Sequence, residues 1–159
     1  MLRRDLLGAL LLLSTLPASA HHPGDEGVRV GDLQVSHAWA EAPNASQHSM
    51  PVWLTIENFG TLPDELRAVN TPIAEKAVIQ GLVVEESGSA RLREFARLVI
   101  EPGQTVTLSP GGLMIVLHGL RLEQLPAAHE HFPLTLVFAR AGAVTIDVEV
   151  EEPRLRPTS

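Results

Sequence analysis

The chain is predicted to be all-β, a single antiparallel β-sandwich or barrel, and three observations lead there. Apolar residues alternate with polar or small ones along several short stretches, which is the two-residue period of a strand buried on one face. Pro- and Gly-bearing turn signals separate those stretches at short intervals. No stretch carries the 3.6-residue apolar period over the length of a long helix. With 159 residues and 45% apolar content, the chain is the size of one domain and can build a core.

Taken in order, residues 1–20 read as a secretory signal. Arg3 and Arg4 form a basic start, residues 6–16 are an apolar run too short to span a bilayer, and Ala18-Ser19-Ala20 fits an A-x-A cleavage site. Arg3-Arg4-Asp5-Leu6-Leu7 also has the look of a twin-arginine leader, so export by the Sec or the twin-arginine route is expected, with the periplasm as destination. Residues 21–30 begin His21-His22-Pro23-Gly24 and read as a flexible His-containing arm, residues 31–152 as the domain, and residues 153–159 as a frayed tail.

Within the domain, Leu33, Val35, His37 and Trp39 alternate through a first strand, and residues 42–49 form a loop by composition. Val52, Leu54 and Ile56 alternate through a second strand that stops at Asn58-Phe59-Gly60. Residues 66–84 hold β-branched runs broken by Pro72 and Gly81, and residues 92–101 are a further strand closed by Pro102-Gly103. Val106 and Leu108 lead into Pro110-Gly111-Gly112, after which Leu113, Ile115 and Leu117 alternate with Met114, Val116 and His118. The first set faces a core and the second points the other way. Leu134, Leu136 and Phe138, then Val144, Ile146, Val148 and Val150, form a last hairpin about Ala141-Gly142. The tally is eight or nine strands.

Composition excludes several functions. Removing Arg3, Arg4 and Asp5 with the leader from twelve basic and nineteen acidic residues leaves a net charge of −8, which repels nucleic acid and anionic lipid. No later segment is long and apolar enough to insert in a membrane. There are no cysteines, so disulfides, thiolate metal sites and Cys nucleophiles are all absent, and a soft-metal site would rest on Met and His. No Gly-x-Ser-x-Gly elbow, His-Glu-x-x-His helix or phosphate loop occurs, and an enzyme is not expected.

Four blocks resemble those of a known family. Gly31-Asp32-Leu33-Gln34-Val35-Ser36-His37-Ala38-Trp39-Ala40 is similar to its opening G-D-L-x-I-x-H-P-W-A, and Leu54-Thr55-Ile56-Glu57-Asn58-Phe59-Gly60 to its L-T-I-x-N-x-G. Leu108-Ser109-Pro110-Gly111-Gly112 matches its L-x-P-G-G, and Phe132-Pro133-Leu134-Thr135-Leu136-Val137-Phe138 with Ala141-Gly142 matches its last hairpin. The family is the periplasmic copper chaperone PCuAC. The resemblance runs from residue 31 to residue 150. It implies a cupredoxin-like antiparallel β-sandwich that binds Cu(I) and delivers it to an oxidase-assembly partner for the CuA site of cytochrome c oxidase. Copper-handling proteins of oxidase assembly are then the partners, and the protein is expected to be a monomer. The family signature is a His, a Met farther on, and a His-x-Met after the Pro-Gly-Gly turn. Aligned on the shared blocks, Gln80, Leu92, Met114 and Val116 take those positions, so one soft donor remains and the family's site does not carry over as it stands.

The chain offers other donors. Met114 and His118 on one strand lie roughly 13 Å apart, too far for one ion. His48-Ser49-Met50 is itself a His-x-Met whose side chains, if extended, sit about 6–7 Å apart on one face. If its loop packs beside the Pro-Gly-Gly turn, His48, Met50 and Met114 make a relocated Cu(I) site. The competing account has Met50 and Met114 filling the core and His48 solvated. Cleavage after Ala20 would give His21 a free α-amine beside its imidazole, a chelate favouring Cu(II), with His22 next to it. That arm is either a metal scavenger or, as a second alternative function, the centre of an N-terminal-His copper redox enzyme. His129 and His131 share a loop and read as solvated, while His37 is expected to be a hydrogen-bonded structural residue and Trp39 a packed one. The other alternative function is a divergent paralogue without metal, acting as a protein-binding or assembly factor.

Overall fold

The computed structural model describes residues 27–44 and 46–153. The segment read as a signal peptide, the His21-His22 segment and the residues beyond Pro153 lie outside the described residues. Eleven strands form one hydrogen-bonded sheet: β1 (Val28–Val30), β2 (Leu33–Glu41), β3 (Ser49–Asn58), β4 (Asp64–Asn70), β5 (Ala74–Val84), β6 (Ala90–Phe95), β7 (Leu98–Ile100), β8 (Thr105–Thr107), β9 (Met114–Leu120), β10 (His131–Phe138) and β11 (Gly142–Glu151). The strand order is β6-β5-β9-β3-β2-β11-β10-β4-β7, with β1 beside β2 and β8 beside β3. The two ends of that path, β6 and β7, are consecutive in the chain and only Ala96 and Arg97 separate them. The sheet therefore has to fold over on itself, and the single core between its layers takes Leu54 and Ile56 of β3, Ile115 and Leu117 of β9, Leu134 and Leu136 of β10, and Val148 and Val150 of β11. This is the cupredoxin-like β-sandwich. The sole helical element among the described residues is a 3-10 turn over Leu122–Gln124.

Four sequence expectations change. Residues 28–30, assigned to the arm, form β1 against β2. Residues 92–101 are two strands, since β6 pairs β5 and β7 pairs β4. Gly81 does not break a strand but lies inside β5, where a Cβ would come within 2.8 Å of Leu113 Cδ2 and 3.0 Å of the Phe95 ring; glycine there makes room for two core side chains. The sheet is also not wholly antiparallel, because β11 runs parallel to β2 through Glu149–Trp39 and Val150–Ala40.

Two buried polar side chains hold the connections. Asn58, at the end of β3, donates from Nδ2 to the carbonyls of Leu62 (2.9 Å) and Ile100 (3.0 Å), and its Oδ1 accepts from the Gly60 amide at 2.9 Å. Asp64, at the start of β4, accepts at Oδ1 from the amides of Glu65 and Arg140, both 2.8 Å, and at Oδ2 from Ala141 at 2.9 Å, tying β4 to the turn between β10 and β11. Each satisfies amides that the turns would otherwise bury unpaired. Asp64→Ala removes the acceptor for three amides and is expected to lower stability by about 2–3 kcal/mol. Urea unfolding of the purified domain measures it.

Candidate metal centre

The turn that launches β9 is closed by its own backbone: the Gly112 amide donates to the Ser109 carbonyl and the Ser109 amide to the Leu113 carbonyl, each at 3.0 Å. Gly111 takes φ +84°, a left-handed conformation that only glycine adopts without strain. Beyond the turn, β9 lies between β3 and β5. Ile115 stands opposite Val52 and Ile79, Val116 opposite Pro51 and Val78, and His118 opposite Ser49 and Lys76. Ile115 and Leu117 point into the core, so Met114, Val116 and His118 face outward, as the alternation predicts.

Met114 is directly opposite Gln80 of β5. On its other side, one residue beyond the Val52–Ile115 pair, stands Trp53 of β3, and Trp53 is opposite Trp39 of β2. The two indoles stack with centroids 4.3 Å apart and planes at 33°. Gln80, Met114, Trp53 and Trp39 thus form one row across four neighbouring strands.

Trp39 reaches this face because of a bulge. Between Ser36 and Trp39, β2 holds one residue more than β3, and His37 adopts φ +52°. The extra residue reverses the strand's phase: Leu33 and Val35 are buried before it and Ala40 after it. The expectation that His37 and Trp39 share a face with Leu33 and Val35 is overturned for this reason. His37 is exposed, with Nδ1 3.0 Å from Ser36 Oγ, and Trp39 packs on Trp53 instead.

A cleft of about 510 Å³ opens beside the row. Its lining includes Glu41, Gln47, Met50, Trp53, Pro110 and Met114, so the loop before β3 and the Pro-Gly-Gly turn border one cleft. Met50 and Met114 share this cleft, but differently. Met114 is half-buried on the outer face, whereas Met50 is 1% exposed and belongs to the inward series with Val52 and Leu54. His48 is exposed and sits between two lining residues, Gln47 and Ser49. His118 is half-buried; His129 has φ +69° and lies 3.7 Å from Glu152, and His131 is exposed opposite Glu149. Among the described residues no group of three or more His, Asp or Glu side chains could hold a metal ion. His21 and His22 lie outside the described residues.

The four positions singled out by alignment do come together. Gln80 pairs with Met114, Val116 is two residues on, and Leu92 of β6 pairs with Leu82, two residues from Gln80 on the same face. Their chemistry is one thioether, one carboxamide and two aliphatic chains. Trp53 was missed from sequence. Its signal was a bulky aromatic on the non-core phase of the Val52, Leu54, Ile56 alternation.

The model of the LpqE-like lipoprotein family matches residues 33–150. Among solved structures, the apo PCuAC domain from PmoF1 is 31% identical, with a TM-score of 0.69 over 80% of this chain and 99% of that one. The copper-bound PCuAC domain from PmoF2 is 24% identical, with a TM-score of 0.68 over 80% of this chain and 98% of that one. The Cu(I) form of DR1885 from Deinococcus radiodurans is 22% identical, with a TM-score of 0.60 over 81% of this chain and 83% of that one. The last two likenesses concern the fold. No curated protein matches the chain.

The tryptophan pair also bears on stability. Trp53→Ala is expected to cost about 3–5 kcal/mol, the range for truncating a buried aromatic. Trp39→Ala, half-buried, should cost less. Comparing the two in urea unfolding checks the order.

Proposed function

The chain belongs to the LpqE-like, PCuAC-type family, and on that premise we propose that it is a copper-binding protein of the chaperone type, carrying Cu(I) as cargo at the cleft beside β9. The observation that carries this reading is the position of Met114. It places a thioether at one of the family's ligand positions, half-buried beside a cleft that residue Met50 also borders, although the Met50 side chain packs inward. Thioethers match a soft, low-coordinate ion and do not couple into disulfides in an oxidising compartment. The copper held by the PmoF2 domain and by DR1885 supports the same cargo.

Of the family's four positions, only Met114 brings a soft donor, so the remaining donors come from beside it. The set is His48, Met50 and Met114. His48 stands between two cleft-lining residues, and Met50, which packs inward at 1% exposure, joins the set on rearrangement of the start of β3. An ion held this near the surface passes to a partner by ligand exchange. The leader sends the protein to the periplasm, where it works as a monomer and hands copper to a protein of oxidase assembly, ending at the CuA site of cytochrome c oxidase. His21 and His22, at the processed N-terminus, add a separate chelate favouring Cu(II).

One observation favours a second reading, an assembly factor without metal. Leu92 and Leu82, on the face of the family's ligand positions, are 57% and 49% exposed and suit contact with another protein rather than an ion.

An anaerobic Cu(I) competition titration of the mature protein separates the two. The copper reading expects one-to-one binding, weakened about tenfold or more by Met114→Leu and by Met50→Leu, a loss of about 1.4 kcal/mol. Binding unchanged in both variants but lost on removing His21 and His22 moves the chemistry to the arm. Absence of competitive binding leaves the assembly factor. Intact-mass measurement of the exported protein is expected to show a chain beginning at His21.

A further inference from the structure

We infer that the indole of Trp53 is part of the copper site, its π face lying against a soft monovalent cation, Cu(I) or Ag(I), held by the Met114 thioether. This rests on the copper reading above and adds a contact that the family's His and Met positions do not contain.

The placement comes from strand register. Trp53 stands between Trp39 on the β2 side and Met114 on the β9 side. Trp39 takes one face of the indole at 4.3 Å, so the side left for a ligand is the one toward Met114. Both Trp53 and Met114 line the same cleft. Met114's opposite neighbour, Gln80, offers a carboxamide oxygen, a hard donor that suits Cu(I) poorly. Within the row, the electron-rich partner for an ion on Met114 is therefore the indole, whose quadrupole attracts a cation most strongly of the aromatic side chains and more so when water is excluded.

A second observation is independent of register. Trp53 is only 5% exposed, and its Nε1–H is buried with no acceptor. Leaving a buried donor unpaired is unfavourable. Phenylalanine would fill this position without that donor. What tryptophan adds is a larger and more electron-rich π face, held by its burial in the core cluster and by stacking on Trp39.

The test uses tryptophan emission of the mature full-length chain, which leaves Trp53 as sole reporter in Trp39→Phe and Trp39 as sole reporter in Trp53→Phe. Each is titrated anaerobically with Cu(I), and in parallel with Ag(I), with affinity measured separately by competition. The expected result is that Trp39→Phe loses about half or more of its emission, saturating at one equivalent, and that Met114→Leu abolishes this response. Trp53→Phe should keep its emission and bind about three- to tenfold more weakly. If Trp39→Phe binds one Cu(I) with unchanged emission, or Trp53→Phe binds as tightly as the unmodified protein, the indole contact is overturned while the copper reading stands. If the unmodified protein does not compete for Cu(I), both fall. Circular dichroism establishes folding of each variant, and should Trp53→Phe not fold, the emission of Trp39→Phe decides.

Discussion

The candidate site depends above all on the pairing of β9 with β3 on one side and β5 on the other. Because strand side chains alternate with a period of two, the Ile115–Val52 and Ile115–Ile79 pairings decide at once that Ile115 and Leu117 go inward and Met114 goes out. A slip of one residue would bury Met114 and expose Ile115. Two fully buried residues of β9 resist that slip, and so does the Ser109–Gly112 turn, whose hydrogen bonds fix where the strand begins. Met114 thus takes its phase from its neighbours' burial, and packs half-buried against the core from there.

The same logic explains the bulge in β2. Its extra residue, His37, moves Trp39 from the core phase to the outer phase, while small Ala40 takes the inward place with no exposed surface. The bulge converts what would be an inward tryptophan into the outer partner of Trp53. Asn58 and Asp64 act at a different level. They satisfy the amides of the turns after β3 and between β10 and β11, so that the folded-over sheet closes without buried, unpaired backbone there. Core burial, bulge and polar closures together set the row Gln80, Met114, Trp53, Trp39 across four strands, with Trp53 itself buried at 5% exposure.

Chemically, the middle of that row's face is soft, while charge stands at its margins in Glu41 at the cleft, Glu94 opposite Gln80 and Glu149 opposite Trp39. It has no cysteine, its family positions hold one thioether and two aliphatic side chains, and aromatic rings adjoin the thioether. A thioether beside an indole favours a soft cation through polarizability and exclusion of water. The exposed Leu82 and Leu92 beside it would serve a docking partner as readily as they would shield an ion.

Much of this was legible in the residues themselves. Alternation located the strands and the faces of β3, β9, β10 and β11, and the Pro-Gly-Gly turn marked the start of β9, because both signals are local and need no knowledge of what packs on what. The family blocks added the fold. The sequence could not indicate the bulge at His37, since one inserted residue leaves the apolar count unchanged and only pairing with β3 reveals the lost phase. Nor could it indicate that Gly81 sits within a strand, which follows from Leu113 and Phe95 crowding it. From sequence Met50 was a candidate for both core and site; its burial at 1% exposure and its place beside the cleft emerge from the fold. By itself, then, the sequence determined the fold class, the soft and cysteine-free chemistry and the position of Met114. Tertiary structure decided its company: Trp53, Trp39 and Gln80 stand beside it because long-range strand register, which no local pattern encodes, sets which residues share a row.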